Sequence, residues 1–301
     1  MNPVLPPSLR PGDTIGLFAP SSRASHENIG KLQKLLEKRG YKVFIHPQTF
    51  LTRHQSAGSG MEKAAAFHDL IRRQDIKAIF CSNGGNRAGT MLEHLNFDTI
   101  ARNPKIILGY SDVTALLNAV YAKTGIVTYH GPMARSFLSL PKKQIEQCFD
   151  LLEGRKPRLE MSKAKLLKSG TAKGTLLGGN LSVLCSLLGT PYQPDYKNAV
   201  LFLEDIGEET SHIDRYFWQL RNAGILSQIK GLILGNFSDL KDTGRTKYGF
   251  TLKTCLEDVT ADLDIPVLMN APFGHGKDLY TFPLGAKAKL VVTSTSATLD
   301  F

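Results

Sequence analysis

The sequence predicts an α/β protein whose first domain is a doubly wound parallel sheet, followed by a second domain. Short apolar, β-branched runs alternate with segments of helical spacing through the first half of the chain. Such runs are typical of buried parallel strands, and their alternation with helices predicts a sheet covered on both faces. Beyond residue 155 the chain becomes rich in Lys, Ser and Gly. We therefore expect domains over residues 1–155 and 173–301, joined by a linker over 156–172 that holds one or two strands.

The individual elements follow from the period of the apolar residues and from the glycines and prolines at their ends. In the first domain we expect strands at 14–19, 41–45, 77–81, 106–108 and 126–129, and helices at 29–39, 61–72, 90–94 and from 113 onward. In the second domain we expect strands at 199–203, 231–235 and 266–271, and helices at 211–220 and 252–263. Gly178-Gly179 is expected to form a turn that opens a short apolar helix ending near Gly189.

The composition is that of a soluble globular protein. Of the 301 residues, 42% are hydrophobic and 21% charged, and no apolar run approaches the length that spans a bilayer. The N-terminus lacks the charged-then-apolar layout of a secretory signal, so we expect a cytoplasmic protein with no membrane partner. The cysteines are scattered without a C-x-x-C pair, which predicts reduced core residues, no zinc site and no disulfide framework. They are Cys81, Cys148, Cys185 and Cys255.

The net charge of +10 and the pI of about 9.4 favour an acidic partner. The basic residues are spread along the chain, with concentrations only at Arg72-Arg73, at Lys142-Lys143 and over 163–173. No aromatic-interleaved basic motif accompanies them, so the sequence favours an anionic small molecule over nucleic acid.

A tight turn around Ser111 joins a predicted strand to a predicted helix. The apolar run 106–108 ends just before it, and helical spacing begins at Val113. Such a turn exposes its side chains above the carboxyl end of the sheet, where the first free N–H groups of the helix also point. Ser111 is therefore a candidate nucleophile with an oxyanion-stabilising N–H beside it. The alternative is that Ser111 or Asp112 only caps the helix.

A second glycine-rich turn, Gly84-Gly85, follows the strand predicted at 77–81 and faces the same edge of the sheet. It is too short for a dinucleotide-binding fingerprint, and no Gly-x-x-x-x-Gly-Lys sequence occurs. It is either a simple tight turn or a source of backbone N–H groups for a substrate oxygen.

Two further polar residues follow buried strands in the second half. Glu204 comes directly after Val200-Leu201-Phe202-Leu203, and His275 lies between two glycines after the strand at 266–271. Glu204 is either a partnered buried carboxylate or part of a strand end that reaches solvent. A hydroxyl nucleophile needs a base, and the base needs a carboxylate to fix its tautomer, so Ser111, His275 and Glu204 form a candidate triad if folding brings them together.

At this point the sequence resembles the LD-carboxypeptidases, serine peptidases that include muramoyl-tetrapeptide carboxypeptidases and microcin C self-immunity proteins. The resemblance covers nearly the whole chain. The matching motifs are Pro11-Gly12-Asp13, Ala19-Pro20-Ser21, Gly84-Gly85, the run from Gly109 to Leu116, His130-Gly131-Pro132, Gly178-Gly179-Asn180-Leu181, Leu203-Glu204-Asp205, Ile213-Asp214-Arg215, Gly274-His275 and Pro283-Leu284-Gly285.

The resemblance implies Ser111 as nucleophile, His275 as general base and Glu204 as the acid that orients it. It also implies an oxyanion hole from the backbone N–H groups of Asp112 and Gly85. The family fold implies a smaller, β-rich α+β second domain, and members are typically cytoplasmic homodimers that need no metal or cofactor. The implied reaction is hydrolysis of the bond between an L-centre, Lys or diaminopimelate, and the terminal D-Ala of muropeptide tetrapeptides during peptidoglycan recycling.

One departure concerns substrate binding. Family members that recycle peptidoglycan often read Arg-Gly-Gly-Tyr-Gly where this chain has Asn83-Gly84-Gly85-Asn86-Arg87. The glycines remain, and Arg87 is a candidate replacement for the displaced positive charge. We expect Gly84, Asn86, Arg87 and Arg135 to contact the substrate, with an arginine on its carboxylate.

Two other functions stay open. The first is a microcin C-type self-immunity hydrolase that cleaves a peptide-nucleotide amide. Such proteins carry a longer insert between the serine and the glutamate. The absence of that insert here, together with the presence of His130, favours the carboxypeptidase. The second is a non-catalytic α/β ligand-binding module, in which Ser111→Ala would behave as wild type.

Overall fold

Two β-sheets organise the structure, a computed structural model that describes residues 2–301. Met1, which belongs to the predicted first domain, lies outside the described residues. In chain order the strands are β1 (Thr14–Phe18), β2 (Lys42–Ile45), β3 (Ile76–Cys81), β4 (Ile106–Gly109), β5 (Thr128–His130), β6 (Leu159–Glu160), β7 (Lys165–Lys168), β8 (Gly170–Asn180), β9 (Ala199–Ile206), β10 (Gly231–Ser238), β11 (Val267–Met269), β12 (Phe282–Leu284), β13 (Lys287–Val292) and β14 (Ala297–Asp300).

The helices lie between these strands. They are α1 (His26–Lys38), α2 (Gly60–Arg72), α3 (Phe97–Arg102), α4 (Thr114–Thr124), α5 (Ala134–Phe137), α6 (Lys142–Leu152), α7 (Leu181–Cys185), α8 (Thr210–Asn222) and α9 (Leu252–Thr260). Short 3₁₀ helices cover Pro47–Phe50, Ala88–His94 and Ser111–Val113. The helix predicted at 90–94 is therefore a 3₁₀ helix.

The first sheet has the strand order β12-β5-β4-β3-β1-β2, in which β1 to β5 are parallel and β12 pairs antiparallel with β5. Its side chains alternate between two apolar clusters, as the pleat requires. Ile106 and Leu108 pack in the cluster that includes α1, α5 and α6, whereas Ile107 packs in the cluster that includes α2 and α4. Helices therefore cover both faces, which confirms the doubly wound sheet.

The second sheet has eight strands in the order β6-β14-β13-β8-β9-β10-β11-β7. The four central strands β8 to β11 are parallel, and the outer strands pair antiparallel. Only three helices, α7 to α9, lie in this half of the chain, counted over residues 156–301. Strands β6 and β7 fall within 156–172 and form the two edges of the sheet. The predicted fold class, a doubly wound sheet followed by a β-rich α+β region, is confirmed.

The prediction of a glycine turn at Gly178-Gly179 is wrong, because both residues lie inside the long strand β8. Gly178 has a φ of +148°, and a Cβ there would overlap the carbonyl oxygen of Phe202 on β9. Gly179 has a φ of +131°, and a Cβ there would lie 2.6 Å from the side chain of Thr114 on α4. The glycines allow close backbone approach within the sheet and against α4, and they do not form a turn.

The segment between β11 and β12 crosses from the second sheet to the first. Gln144 Oε1 on α6 accepts the Leu279 N–H at 2.7 Å. Gln147, also on α6, accepts the Thr281 N–H and donates to the Thr281 carbonyl, each at 2.9 Å. Both glutamines are buried. These bonds anchor the segment that carries His275 to α6, which packs against the first sheet.

Over residues 2–301, no helix combines the length and the apolar character needed to cross a membrane.

Candidate active site

Ser111 follows the carboxyl end of β4 in a left-handed backbone conformation. Its φ is +62°, which a residue with a Cβ adopts at a cost of about 1 kcal/mol or more. Tyr110, the residue before it, is extended, with φ −152° and ψ −170°. Helix α4 begins at Thr114, three residues after Ser111. The chain therefore reverses sharply at Ser111. A Cβ at Gly84 would lie 3.2 Å from the Ser111 Oγ, so the serine hydroxyl faces the Gly84-Gly85 turn.

Glu204 is a fully buried carboxylate on β9. The strand was predicted to end at Leu203, but it continues to Ile206 through Glu204 and Asp205. Asp205 is only 2% exposed. The alternative of a strand end in solvent is therefore wrong, and Glu204 requires a partner.

His275 supplies that partner and links Glu204 to Ser111. Its Nδ1 lies 2.6 Å from Glu204 Oε2, its backbone N–H donates to the same oxygen at 3.0 Å, and its Nε2 lies 3.1 Å from Ser111 Oγ. Gly274 has a φ of +92°, and a Cβ there would lie 2.6 Å from the Glu204 Cβ. The structure thus brings the three predicted residues into one chain of hydrogen bonds.

The charges of the Glu204–His275 pair support each other. Burial alone would lower the pKa of His275, but the hydrogen bond and charge of Glu204 outweigh it and raise that pKa above 6.5. Burial alone would raise the pKa of Glu204, but its hydrogen bond to His275 and the neighbouring charges hold it below 4.5. The Glu204 carboxylate is therefore already ionised at the pH at which the His275 imidazole is neutral and can accept a proton.

His130 lies fully buried near this pair, with its ring edge-on to Phe202 at 5.3 Å between centroids. Among residues 2–301, neither ring nitrogen of His130 has a hydrogen-bond partner, and Glu204 Oε1 also lacks one. Burial lowers the pKa of His130 to about 4, so this ring is neutral at neutral pH. His130 therefore places no second cation beside Glu204.

Two backbone N–H groups are candidates for the oxyanion hole: that of Asp112, the residue after Ser111, and that of Gly85, the residue after Gly84. The described residues provide no acceptor for the N–H of Asp112 or for that of Gly85. Gly85 has a φ of +113°, and a Cβ there would overlap the Ser22 hydroxyl. The Asp112 carboxylate is only 8% exposed, and its Oδ2 accepts the Ala88 N–H at 2.8 Å. Neither N–H is thus used in a hydrogen bond within the described part of the chain.

A cavity of about 550 Å³ opens over Ser111 and His275. Its lining also contains Ser22, Arg23, His54, Gln55, Asn83, Gly84, Gly85, Tyr110, Met133, Arg135 and Ser136. Of the predicted substrate-binding residues, Gly84 and Arg135 line this cavity, whereas Asn86 and Arg87 do not. Asn86 is exposed and donates to Gln55 at 3.4 Å. Arg87 is exposed at the far end of the turn, with a φ of +79°.

Sequence reasoning missed several lining residues. Arg23 follows the carboxyl end of β1, so the rule that selected Ser111 would also have selected it. His54 and Gln55 lie in the loop before α2, away from any strand end, and no sequence signal places them at the cavity. Within the described part of the chain, no group of three or more His, Cys, Asp or Glu side chains could hold a metal ion.

Comparisons with known proteins place the chain in a family. Residues 15–131 match the profile described as the LD-carboxypeptidase N-terminal domain, and residues 173–290 match that of the LD-carboxypeptidase C-terminal domain. A probable murein peptide carboxypeptidase of Bacillus subtilis is 34% identical over 98% of this chain and 94% of its own length.

Two solved structures extend the likeness to the fold. The structure of MccF in complex with glutamyl sulfamoyl guanosine has a TM-score of 0.90 at 27% identity, covering 99% of each chain. A muramoyltetrapeptide carboxypeptidase from Oxalobacter formigenes has a TM-score of 0.86 at 28% identity, covering 95% of this chain and 98% of its own. From these matches over nearly its full length, the chain belongs to the LD-carboxypeptidase family of peptidases.

Proposed function

We propose that this protein is a serine LD-carboxypeptidase that removes the terminal D-Ala from muropeptide tetrapeptides. The bond cleaved joins that D-Ala to an L-centre, Lys or diaminopimelate. The observation that carries the proposal is the line of hydrogen bonds from Glu204 through His275 to Ser111, which opens onto the cavity. The names of the relatives support the substrate class.

In the proposed reaction Ser111 is the nucleophile and His275 the base. As Ser111 Oγ bonds to the carbonyl carbon of the scissile bond, His275 Nε2 takes the hydroxyl proton. Glu204 accepts the Nδ1–H and stabilises the imidazolium. His275 then returns the proton to the departing D-Ala amine, which leaves an ester on Ser111. A water molecule hydrolyses this ester by the same proton route and releases the shortened peptide.

The oxyanion of each tetrahedral intermediate is assigned to the N–H groups of Gly85 and Asp112. Neither N–H has an acceptor among residues 2–301. Asp112 directly follows Ser111, and donors fixed in advance are worth most where charge develops. Gly84 supports this assignment because it leaves space for the substrate against Ser111.

Recognition of the substrate carboxylate is assigned first to Arg135, which lines the cavity. Arg23 lines the same cavity and is a second cation for the acidic groups of a muropeptide. Asn86 and Arg87 remain proposed contacts for the more distant part of a long peptide, since they lie beyond the lining. We further propose that the protein acts in cytoplasmic peptidoglycan recycling as a homodimer.

The test is mass spectrometry of a tetrapeptide ending in D-Ala after incubation with the purified protein. The proposal predicts loss of one alanine residue, with peptides carrying Lys and diaminopimelate compared side by side. The matched tetrapeptide ending in L-Ala is the control for stereochemistry. An intact D-Ala peptide after prolonged incubation contradicts the assignment.

A microcin C-type hydrolase is the second candidate, supported by the TM-score of 0.90 against MccF. An aminoacyl sulfamoyl adenosine incubated under the same conditions separates the two. Release of free amino acid from this compound, without cleavage of the tetrapeptide, favours the second function.

A further inference from the structure

Lys63 on α2 is fully buried although its side chain carries a charge. A buried ammonium is costly unless partners satisfy it. Its Nζ donates to the carbonyl oxygen of Arg87 at 3.2 Å. Arg87 is the next-to-last residue of the segment over 82–88, here called the glycine loop, which carries the Gly85 N–H. A buried cation thus holds the glycine loop through a hydrogen bond to its backbone.

Asp112, the residue after Ser111, also binds the glycine loop. Its Oδ2 accepts the Ala88 N–H at 2.8 Å, and its own backbone N–H lies next to Ser111. Asp112 therefore connects the two proposed oxyanion donors. The turn at Ser111 fixes the backbone of Asp112, and the Asp112 side chain in turn fixes the glycine loop through the Ala88 N–H.

The glycine loop has a conformation that needs such support. Arg87 is left-handed with a φ of +79°, and Gly85 has a φ of +113°. The Arg87 carbonyl accepts from Lys63 and also from Thr90 Oγ1, the latter at 2.8 Å. A left-handed residue with a side chain costs free energy, so it persists only where its surroundings hold it.

The charges of Lys63 and Asp112 depend on each other. Within residues 2–301, the charged groups that act on the Lys63 ammonium are the Asp112 carboxylate and the Arg87 guanidinium. Burial lowers the pKa of Lys63 to about 8, against the opposing effect of Asp112. Burial also raises the pKa of Asp112. Each group therefore favours the charged form of the other.

We propose that Lys63 is a positioning residue for the reaction, because its charge and its bond to the Arg87 carbonyl hold the Gly85 and Asp112 N–H groups in oxyanion-binding geometry. This inference rests on the proposed function of Ser111. Lys63 itself touches no substrate. As pH rises past about 8, Lys63 loses its proton, the Asp112 anchor weakens, and kcat declines on the alkaline side.

The test compares Lys63→Met and Lys63→Arg with Lys105→Met as the matched control. Lys105 is also buried, its pKa is also lowered to about 8, and its Nζ also donates to carbonyls, those of Arg73 and Ile76. It precedes β4 and so lies at the opposite end of the sheet from Ser111. The readouts are kcat and KM for the D-Ala tetrapeptide from pH 6 to 10, and the rate at which a fluorophosphonate labels Ser111.

In Lys63→Met we expect kcat to fall by about 10-fold or more with KM nearly unchanged, because oxyanion stabilisation acts on the transition state. The alkaline decline near pH 8 should disappear. In Lys63→Arg most of kcat should return, and the decline should move to higher pH because arginine stays charged. In Lys105→Met stability should fall while kcat and the alkaline decline stay as in wild type.

The proposal is overturned if Lys63→Met keeps the wild-type kcat and alkaline decline, or if Lys105→Met loses as much kcat. If Lys63→Met fails to fold, the proposal is overturned by an alkaline decline of kcat in Lys63→Arg at the same pH as in wild type. Failure of the proposed function is distinguishable, because wild type would then release no D-Ala. The labelling rates of Ser111 in wild type and the Lys63 variants would still decide the inference.

Discussion

The hydrogen bond between Glu204 and His275 sets the basicity of the imidazole at the centre of the site. Glu204 is fully buried, and the 2.6 Å contact to Nδ1 fixes which nitrogen carries the proton. The other nitrogen, Nε2, is then the acceptor that faces Ser111 at 3.1 Å. One carboxylate thus controls both the tautomer and the pKa of His275.

This pair predicts the acidic side of the pH profile. His275 must be neutral to accept the Ser111 proton, and its pKa lies above 6.5. The value of kcat/KM should therefore fall as pH is lowered through a midpoint above 6.5. In Glu204→Gln the interactions that raise this pKa are lost, so the midpoint should move to lower pH and the plateau should drop by roughly 10²-fold or more.

The control for this prediction is Glu208→Gln. Glu208 also contacts a histidine, with its Oε2 3.1 Å from His212 Nδ1, but this pair lies partly exposed on the surface. Its variant should keep the wild-type midpoint and plateau. An unchanged profile in Glu204→Gln would contradict the role of the buried carboxylate.

The sequence could predict these residues but not their geometry. Ser111 and Glu204 were found because polar residues follow or end apolar strands, and His275 because two glycines flank it. The distances between them depend on how the segment over 275–282 crosses to the first sheet. This crossing is held by hydrogen bonds between residues 134 positions apart, such as Gln147 and Thr281. No local pattern encodes that pairing.

At the scale of the elements, Asp205 joins β9 to the beginning of α7. Its Oδ1 accepts from Asn180 Nδ2 at 2.9 Å, and its Oδ2 accepts the Ser182 N–H at 2.8 Å. The carboxylate is nearly fully buried. It therefore satisfies a free N–H in the first turn of α7 and fixes the end of β8 next to Glu204.

We predict that Asp205→Ala lowers the free energy of unfolding by about 2 kcal/mol or more, because the buried Asn180 amide and the partly buried Ser182 N–H lose their acceptor. Urea denaturation followed by circular dichroism measures this change. Asp264→Ala, at an exposed position, is the control and should change stability by less than about 0.5 kcal/mol. Equal stability of the two variants would contradict the account of Asp205.

Some elements with a clear period were predicted closely, whereas the amphipathic helix α6 (Lys142–Leu152) was not predicted. The helix predicted at 61–72 is α2 (Gly60–Arg72), which begins one residue earlier because Ser59 forms a capping box with Glu62. The strand at 126–129 was misplaced by one or two residues. Strands β12 to β14 were not predicted. Strand β12 is only three residues long, and its partner, β5, lies far away in the sequence.

At the scale of the whole molecule, the two sheets are interlocked. Strand β12 comes from the second half of the chain but completes the edge of the first sheet, and the α6 glutamines bind the segment before it. We keep the division into domains over 1–155 and 173–301, with a linker over 156–172, as a proposal. The crossing segment implies that such domains would depend on each other for stability.

We therefore predict that the protein unfolds in one cooperative transition. Trp218, the single tryptophan of the sequence, lies on α8 beside the second sheet, and its fluorescence reports on that half. Far-ultraviolet circular dichroism reports on both halves. The urea midpoints from the two signals should coincide. A tryptophan transition clearly separated from the circular dichroism transition would contradict the interlocked arrangement.

The most direct test of the central claim is the turnover of a D-Ala tetrapeptide by wild type and Ser111→Ala, followed by mass spectrometry. If Ser111 is the nucleophile, the variant should lose at least about 10³-fold in kcat/KM while keeping the wild-type thermal stability within a few degrees. Release of D-Ala by Ser111→Ala at a rate within tenfold of wild type would contradict the account.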